Sequence, residues 1–398
     1  LLEDAIWYAR EGVPVTEGHC ADVAGKKDQM VGLDDWHAVF RPGGRDPAPG
    51  DPFKQPALAE TLEALARDGL DGFYEGPLAR RIAADLARAG SPVTADDLAG
   101  HRPLVGSPIS LKVRDATLYN IPPPTQGLAS LAILGIAERI APDAPDGFDF
   151  VHRLVEATKQ AILLRTEHVT DPDHMTDTPE SLLAAGRLDG LAAKVDPDRA
   201  LPWPVEAVPG DTVWLAAADD AGRVVSFIHS IYWEFGSGLV LRDTGIQWQN
   251  RGSSFALDPA QPNPLLPGRL PFHTNNPAMA LFDDGRVLAY GTMGGEGQPQ
   301  TQAALFSRYA WFGQDLQAAI TAPRWLLGRT WGDDLPELRI EDRFAPEVIA
   351  QLEAAGHKLR PVGPFDAVMG HAGALLRHPD GAFEGAADPR GDGIPAAF

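Results

Sequence analysis

The stretch at 209–238, PGDTVWLAAADDAGRVVSFIHSIYWEFGSG, constrains the fold of this chain more than any other. It predicts a strand over 212–218, a turn at Asp219-Asp220-Ala221-Gly222 and a second strand over 223–231. A short polar turn with glycine between two such runs closes a hairpin. A small-residue loop, Phe235-Gly236-Ser237-Gly238, ends the stretch. Upstream, residues 196–211 carry Asp196-Pro197-Asp198, Pro202, Pro204 and Pro209-Gly210-Asp211, the composition of a linker. A linker running straight into a strand start suits a processing site. It suits a plain domain linker equally well.

Thr212 stands at that boundary. A threonine hydroxyl is a weak nucleophile and needs a nearby base. If the chain is cut between Asp211 and Thr212, the new α-amine supplies one, with an ordinary pKa of about 8. A threonine at a strand start is also simply a good β-former. The turn Gly291-Thr292-Met293-Gly294-Gly295-Glu296-Gly297 has two readings as well. Gly294 and Gly295 could present backbone N–H groups to an oxyanion, or the run could only join a strand to a helix. It lacks the Gly-Lys-Ser/Thr ending of a phosphate loop.

Other candidates are weaker. Glu167, His168, Asp171, Asp173 and His174 match no metal-binding spacing and read as a capped helix end. Ser226 and His229 differ by three along a strand and so point to opposite faces. Cys20 is the single cysteine, which excludes an internal disulfide and a cysteine-based zinc site. We therefore expect no metal and no cofactor. The net charge of −21 argues against nucleic acid and anionic membrane surfaces as partners. No run of apolar residues is long enough to span a bilayer.

Apolar spacing predicts helices over 1–11, 58–70, 73–89, 126–140, 150–168, 301–312 and 346–355, with two short ones within 180–195. Thr94-Ala95-Asp96-Asp97 opens a further short helix. Strands are predicted over 109–113, 117–121, 286–290, 338–341, 358–361 and 374–377. The chain begins inside a helical pattern, Leu1-Leu2-Glu3, so an N-terminal piece, and any signal on it, is expected to be absent. The compartment stays open, with the cytoplasm favoured over periplasm or secretion.

Several motifs in order carry a resemblance. They are Asp71-Gly72-Phe73-Tyr74-Glu75-Gly76, Leu98-Ala99, Pro122-Pro123-Pro124-Thr125-Gln126-Gly127, Asp171-Pro172-Asp173, Thr212, Phe235-Gly236-Ser237-Gly238, Thr244-Gly245-Ile246 and Gly294-Gly295. Together they resemble the gamma-glutamyltranspeptidase family of N-terminal-nucleophile hydrolases. The resemblance implies an α+β fold, the four-layer αββα sandwich, with two stacked, mostly antiparallel sheets flanked by helices. It implies a precursor that cuts itself between Asp211 and Thr212. Residues 1–211 (the large subunit, without its N-terminal segment) and 212–398 then stay intertwined as one domain. Such a heterodimer can pair again into a dimer of heterodimers. Thr212 would attack a small-molecule amide, Gly294 and Gly295 would hold the oxyanion, and Ser230 would hydrogen-bond the amine.

Departures from the family pattern point at the substrate. Thr212-Val213-Trp214 replaces Thr-Thr-His, and Tyr232 replaces an asparagine. Arg251 and Ser254 stand where the family holds a glutamyl ammonium with acidic or amide groups. His273-Thr274 replaces a serine pair. Losing the acidic partner and gaining Arg251 disfavours an ammonium and favours a carboxylate; a surface or structural ion pair is the plain alternative for Arg251. The changes resemble a branch acting on oxamate-like acid amides. The expectation is hydrolysis of a small carboxylate-bearing amide. A true gamma-glutamyltransferase or glutathione hydrolase, a beta-lactam acylase, and an uncleaved, non-catalytic relative are the alternatives.

Overall fold

Apolar alternation and helical spacing place the elements, and the computed structural model describes residues 1–203, 212–328 and 337–398. Asp211, half of the expected cleavage site, lies outside the described residues. The chain divides into two compact units, Leu1–Gly106 with Glu234–Asn250, and Ser107–Trp233 with Arg251–Phe398. Each unit therefore draws residues from both sides of position 212.

The first unit contains α1 (Glu3–Glu11), β1 (Val13–Pro14), α2 (Glu17–Lys26), α3 (Asp34–Phe40), β2 (Pro52–Phe53), α4 (Pro56–Asp68), α5 (Gly76–Arg88) and α6 (Ala95–Gly100). The helix expected over 58–70 starts earlier, because Pro56 fits a first helical turn. α6 opens with both arms of the Thr94–Asp97 capping box. α2 and α3 were not expected. Their helix-making signals are caps and tertiary contacts rather than a continuous apolar stripe. Thr16 caps α2 by accepting from His19 N at 3.2 Å, and Trp36 and Phe40 of α3 pack with Val23, Phe235 and Val240. Leu78, Ile82 and Leu86 form the buried stripe of α5 with Leu98 and Leu241. Thr61 Oγ1 donates to Thr244 O at 2.7 Å, which anchors the segment that returns after residue 234.

The second unit begins with β3 (Ile109–Val113), β4 (Ala116–Asn120), α7 (Gly127–Ile140), α8 (Phe148–His168), α9 (Pro179–Leu182), α10 (Ala185–Ala192), β5 (Val213–Ala218) and β6 (Val224–His229). It continues with β7 (Ala278–Phe282), β8 (Val287–Thr292), α11 (Gly297–Ala310), α12 (Leu316–Thr321), β9 (Trp325–Leu326), β10 (Leu338–Glu341), α13 (Pro346–Ala354), β11 (Leu359–Val362), β12 (Ala372–Arg377) and β13 (Phe383–Ala387). Six of these strands form a sheet in the order β13-β12-β8-β7-β4-β3, antiparallel at every pairing. β10 and β11 pair in parallel across α13. The chain is thus α+β, with an antiparallel main sheet.

The sheet has two different faces. Leu288, Tyr290, Ala372, Ala374 and Leu376 join the core shared with α7, α8 and α11. Gly291 and Gly373 alternate with them and so face the other way. The two glycines are direct register partners on β8 and β12. Trp214 of β5 lies across both: an added Cβ would sit 2.2 Å from its ring at Gly291 and 2.5 Å at Gly373. Trp214 Nε1 donates to Ser226 Oγ at 3.0 Å within the hairpin. Ser226 thus faces the sheet, whereas His229 is on the exposed face, as the spacing predicted. No helix among the described residues is long and apolar enough to cross a membrane.

Because the Trp214 ring fills the space a methyl group would need, Gly291→Ala should destabilise the protein by about 1–3 kcal/mol. In a Trp214→Ala background the same change should cost clearly less, since the clash is gone. Urea unfolding of the four proteins of this double-mutant cycle measures both.

Candidate active site

The β5–β6 ladder brings the first candidates together. Val213 pairs with His229, so Thr212 and Ser230 emerge side by side from the open end of the hairpin. The strand begins at Val213, which leaves Thr212 just outside it. Thr212 Oγ1 donates to Ser230 Oγ at 3.2 Å. Ser230 Oγ also receives Tyr232 N at 2.9 Å and Arg251 Nη2 at 3.4 Å.

Arg251 opens a 3₁₀ turn, Arg251–Ser254, and is only 5% exposed, which takes it off the surface. Its guanidinium lies 4.3 Å from the centre of the Tyr232 ring. Burial pushes its pKa down to about 10, so it stays cationic at neutral pH. Tyr232 and Trp233 both adopt φ of +60, a tight reversal that turns Tyr232 inward. Ser254 Oγ lies 2.8 Å from Arg251 O and 2.9 Å from Phe272 O, so its hydroxyl braces the turn that carries Arg251.

His273 is held neutral. Burial, and then the positive charge of Arg251, bring its pKa down to about 3. Thr274 is fully buried, and its carbonyl accepts from Gln126 Nε2 at 2.6 Å. The same Nε2 donates to Gly295 O at 2.6 Å. Arg165 Nη1 donates to Gln126 Oε1 at 3.2 Å, and Arg165 Nη2 pairs with Glu296 at 2.6 Å. One carboxamide, from the Pro-Pro-Pro-Thr-Gln-Gly motif, thereby ties the His273-Thr274 segment to the glycine turn.

That turn has the conformation glycine makes possible: φ is +112 at Gly294 and +48 at Gly295. α11 starts at Gly297, four residues before the expected start, so the turn runs directly into a helix N-terminus. Such a terminus favours developing negative charge. On one side of the turn, Met293 lines the same cavity as Thr212. On the other, Gln298 Nε2 lies 3.4 Å from Thr212 Oγ1. The cavity, about 520 Å³, is also lined by Trp214, His371, Asp388 and Ile394. Arg251 and Tyr232 are not in its walls and meet Thr212 through Ser230.

Sequence reasoning missed Gln298, Glu296 and Arg165 as members of this site. The polar residues at the start of α11 were a usable signal. Arg165 gave none, being 131 positions from Glu296. The helix-end group behaves as a cap: Asp171 accepts from Asp173 N and Leu270 N, and His168 pairs with Asp177. Elsewhere His152, Glu156 and His357 bring possible ligand atoms within 4.8 Å of one another. Those atoms are already engaged. His152 Nδ1 and His357 Nε2 share a hydrogen bond of 2.8 Å, and Lys159 Nζ lies 2.6 Å from Glu156. The cluster holds the chain instead, since Leu201 N donates to Glu156 and Leu201 O accepts from Lys159.

His273 and His357 both have folded pKa values near 3, below the ordinary 6.5. Between those values the unfolded histidines bind protons that the folded ones do not. Stability is therefore lost as pH falls from about 6.5 toward 3, by up to about 1.4 kcal/mol per pH unit per histidine. His273→Gln and His357→Gln should each flatten that slope, measured by urea unfolding between pH 4.5 and 7.5.

A sequence family described as gamma-glutamyltranspeptidase matches residues 1–398. The chain is 51% identical over 398 residues to the oxamate amidohydrolase proenzyme of Klebsiella pneumoniae, covering 100% of this chain and 75% of that protein. It is 40% identical over 395 residues to a glutathione hydrolase-like proenzyme of Bacillus subtilis, covering 99% and 75%. The crystal structure of cephalosporin acylase from Bacillus halodurans superposes with a TM-score of 0.90 at 34% identity, over 100% of this chain and 73% of that one.

Proposed function

The chain belongs to the gamma-glutamyltranspeptidase family, and on that premise we propose that Thr212 is the nucleophile of an amidohydrolase for small amides bearing a carboxylate. The family makes it a self-processing hydrolase of C–N amide bonds with the N-terminal-nucleophile fold. The observation that carries the finer reading is the buried Arg251 guanidinium, which reaches Thr212 through one shared hydroxyl, that of Ser230.

Processing begins when Thr212 Oγ attacks the Asp211 carbonyl. The Asp211–Thr212 C–N bond breaks, the nitrogen takes a proton, and an ester links Asp211 to Thr212 Oγ. Water hydrolyses the ester to an Asp211 carboxylate and a free Thr212 hydroxyl. The products, 1–211 and 212–398, form a heterodimer. Each compact unit contains both pieces, and β4 stays laddered to β7 across the cut. A dimer of such heterodimers is the larger assembly consistent with this scheme.

In the mature enzyme the α-amine takes the Thr212 Oγ proton as Oγ attacks the substrate carbonyl. The N–H groups of Gly294 and Gly295 receive the oxyanion. The amine product leaves with that proton, and water releases the acid from the acyl-enzyme. Arg251 attracts the substrate carboxylate and repels an ammonium. Tyr232 sets the guanidinium's plane, Ser254 braces its turn, and neutral His273 with Thr274 offers hydrogen bonds without adding charge. The 40% identity to a glutathione hydrolase-like protein favours a second reading, a gamma-glutamyl hydrolase on the same scaffold.

Thr212→Ala should run as a single band on a denaturing gel and show no hydrolysis; a cut, active variant removes Thr212 from the mechanism. Arg251→Met should still be cut, with KM for oxamate raised about tenfold or more, as loss of a charge-assisted contact requires. An unchanged KM, or faster release of glutamate from a gamma-glutamyl anilide than of ammonia from oxamate, supports the second reading.

A further inference from the structure

We infer that the side-chain carbonyl of Gln298 holds the α-amine of Thr212 after the cut, and so positions the base of the reaction. The inference rests on the reading of Thr212 as an N-terminal nucleophile.

Gln298 is the second residue of α11 and is fully buried. Its Nε2 donates to Thr212 Oγ1 at 3.4 Å. Its Oε1 is buried with no hydrogen-bond partner among the described residues. Two positions on, Gln300 has both ends engaged, Nε2 donating to Leu327 O at 2.8 Å and Oε1 accepting from Leu327 N at 2.9 Å, whereas Gln302 Oε1 is open like that of Gln298. A buried acceptor left open is costly, and what sets Gln298 apart is that its carboxamide already touches Thr212.

Cutting before Thr212 creates the missing donors. One peptide N–H becomes an amine with two N–H groups, or an ammonium with three. Ser230, which the family resemblance assigns to this amine, is crowded. Its Oγ already meets Thr212 Oγ1, Tyr232 N and Arg251 Nη2, and a hydroxyl oxygen has two lone pairs. The Gln298 carbonyl is an open acceptor on a side chain that already touches Thr212. Thr212 carries its hydroxyl and its amine on adjacent carbons, so one carboxamide can span both, N–H to the oxygen and C=O to the nitrogen. Gripped in this way, the amine keeps its lone pair on the Oγ proton.

An acceptor on the amine favours its charged form, so Gln298 should set the acid limb of the pH profile. The titratable and charged groups around Thr212 are Arg251, His229, His273, His371, Glu296 (paired with Arg165), Glu384 and Asp388 (paired with Arg324). All are common to wild type and variants, so differences between them isolate position 298.

The test uses full-length Gln298→Met and Gln298→Glu, allowed to cut themselves, with kcat and KM for oxamate measured across pH. Both should be cut. Q298M should lose about tenfold in kcat with KM within about twofold, and its acid limb should move down by about half a unit to one unit. Q298E, with a negative charge on the ammonium, should move the limb up. If Q298M does not fold, Q298E, which keeps size and polarity, carries the test. Limbs that stay at the wild-type position, or move the same way in both variants, overturn the inference. So does a folded variant that remains one chain, because Gln298 then acts on the hydroxyl before any amine exists. An active, cut Thr212→Ala protein fails the underlying reading instead, and separates the two.

Discussion

The Trp214 ring lying on Gly291 and Gly373 is the contact on which the site depends. Two glycines paired directly across β8 and β12 leave a flat patch on the sheet. A large aromatic ring fills that patch, gaining the burial that such rings offer. The contact seats the β5–β6 hairpin, and Trp214 is two residues from Thr212. Side chains alternate along a strand, so a one-residue slip would swing Trp214 away from the sheet. Thr212 would leave the cavity together with it. The replacement of the family's usual Thr-Thr-His by Thr212-Val213-Trp214 is therefore first a matter of packing.

A second constraint holds the glycine turn. Gly294 and Gly295 can adopt many conformations, and the Gln126–Arg165–Glu296 network selects one. The Arg165–Glu296 pair is buried, and a buried pair tends to specify geometry more than it adds stability. The same network reaches Thr274 and so ties the glycine turn to the His273-Thr274 segment. Arg251 and His273 differ in charge. Burial leaves the guanidinium cationic and the imidazole neutral at neutral pH.

Much of the architecture was legible. The spacing of Leu78, Ile82 and Leu86 and the Thr94–Asp97 box placed α5 and α6 to within a few residues. The long apolar run placed α7, buried almost all round. β7, β13 and α12 were missed: each is a short run whose structure comes from its neighbours in sheet or core. α2 and α3 escaped because their packing partners, Phe235 and Val240, are about two hundred positions away in sequence. At the site, Thr212, Ser230, Gly294 and Gly295 could be named from motif order, and Arg251 from its departure from the family pattern. Gln298 was not, although it stands among the polar residues that open α11, because its approach to Thr212 is made only in the tertiary structure.

The sequence by itself determined the chemistry available: a threonine behind a Pro/Asp-rich linker at the start of a hairpin, and a glycine turn before a helix. It did so because hairpin register and turn chemistry are local, set by residues a few positions apart. Only the tertiary structure decided the environment of those groups. Arg251 became a buried cation stacked on Tyr232, Ser254 a brace, His273 a neutral ring, and Gln298 a neighbour of Thr212. Burial and charge come from segments far apart in the chain, and desolvation, unlike periodicity, leaves no local trace in sequence.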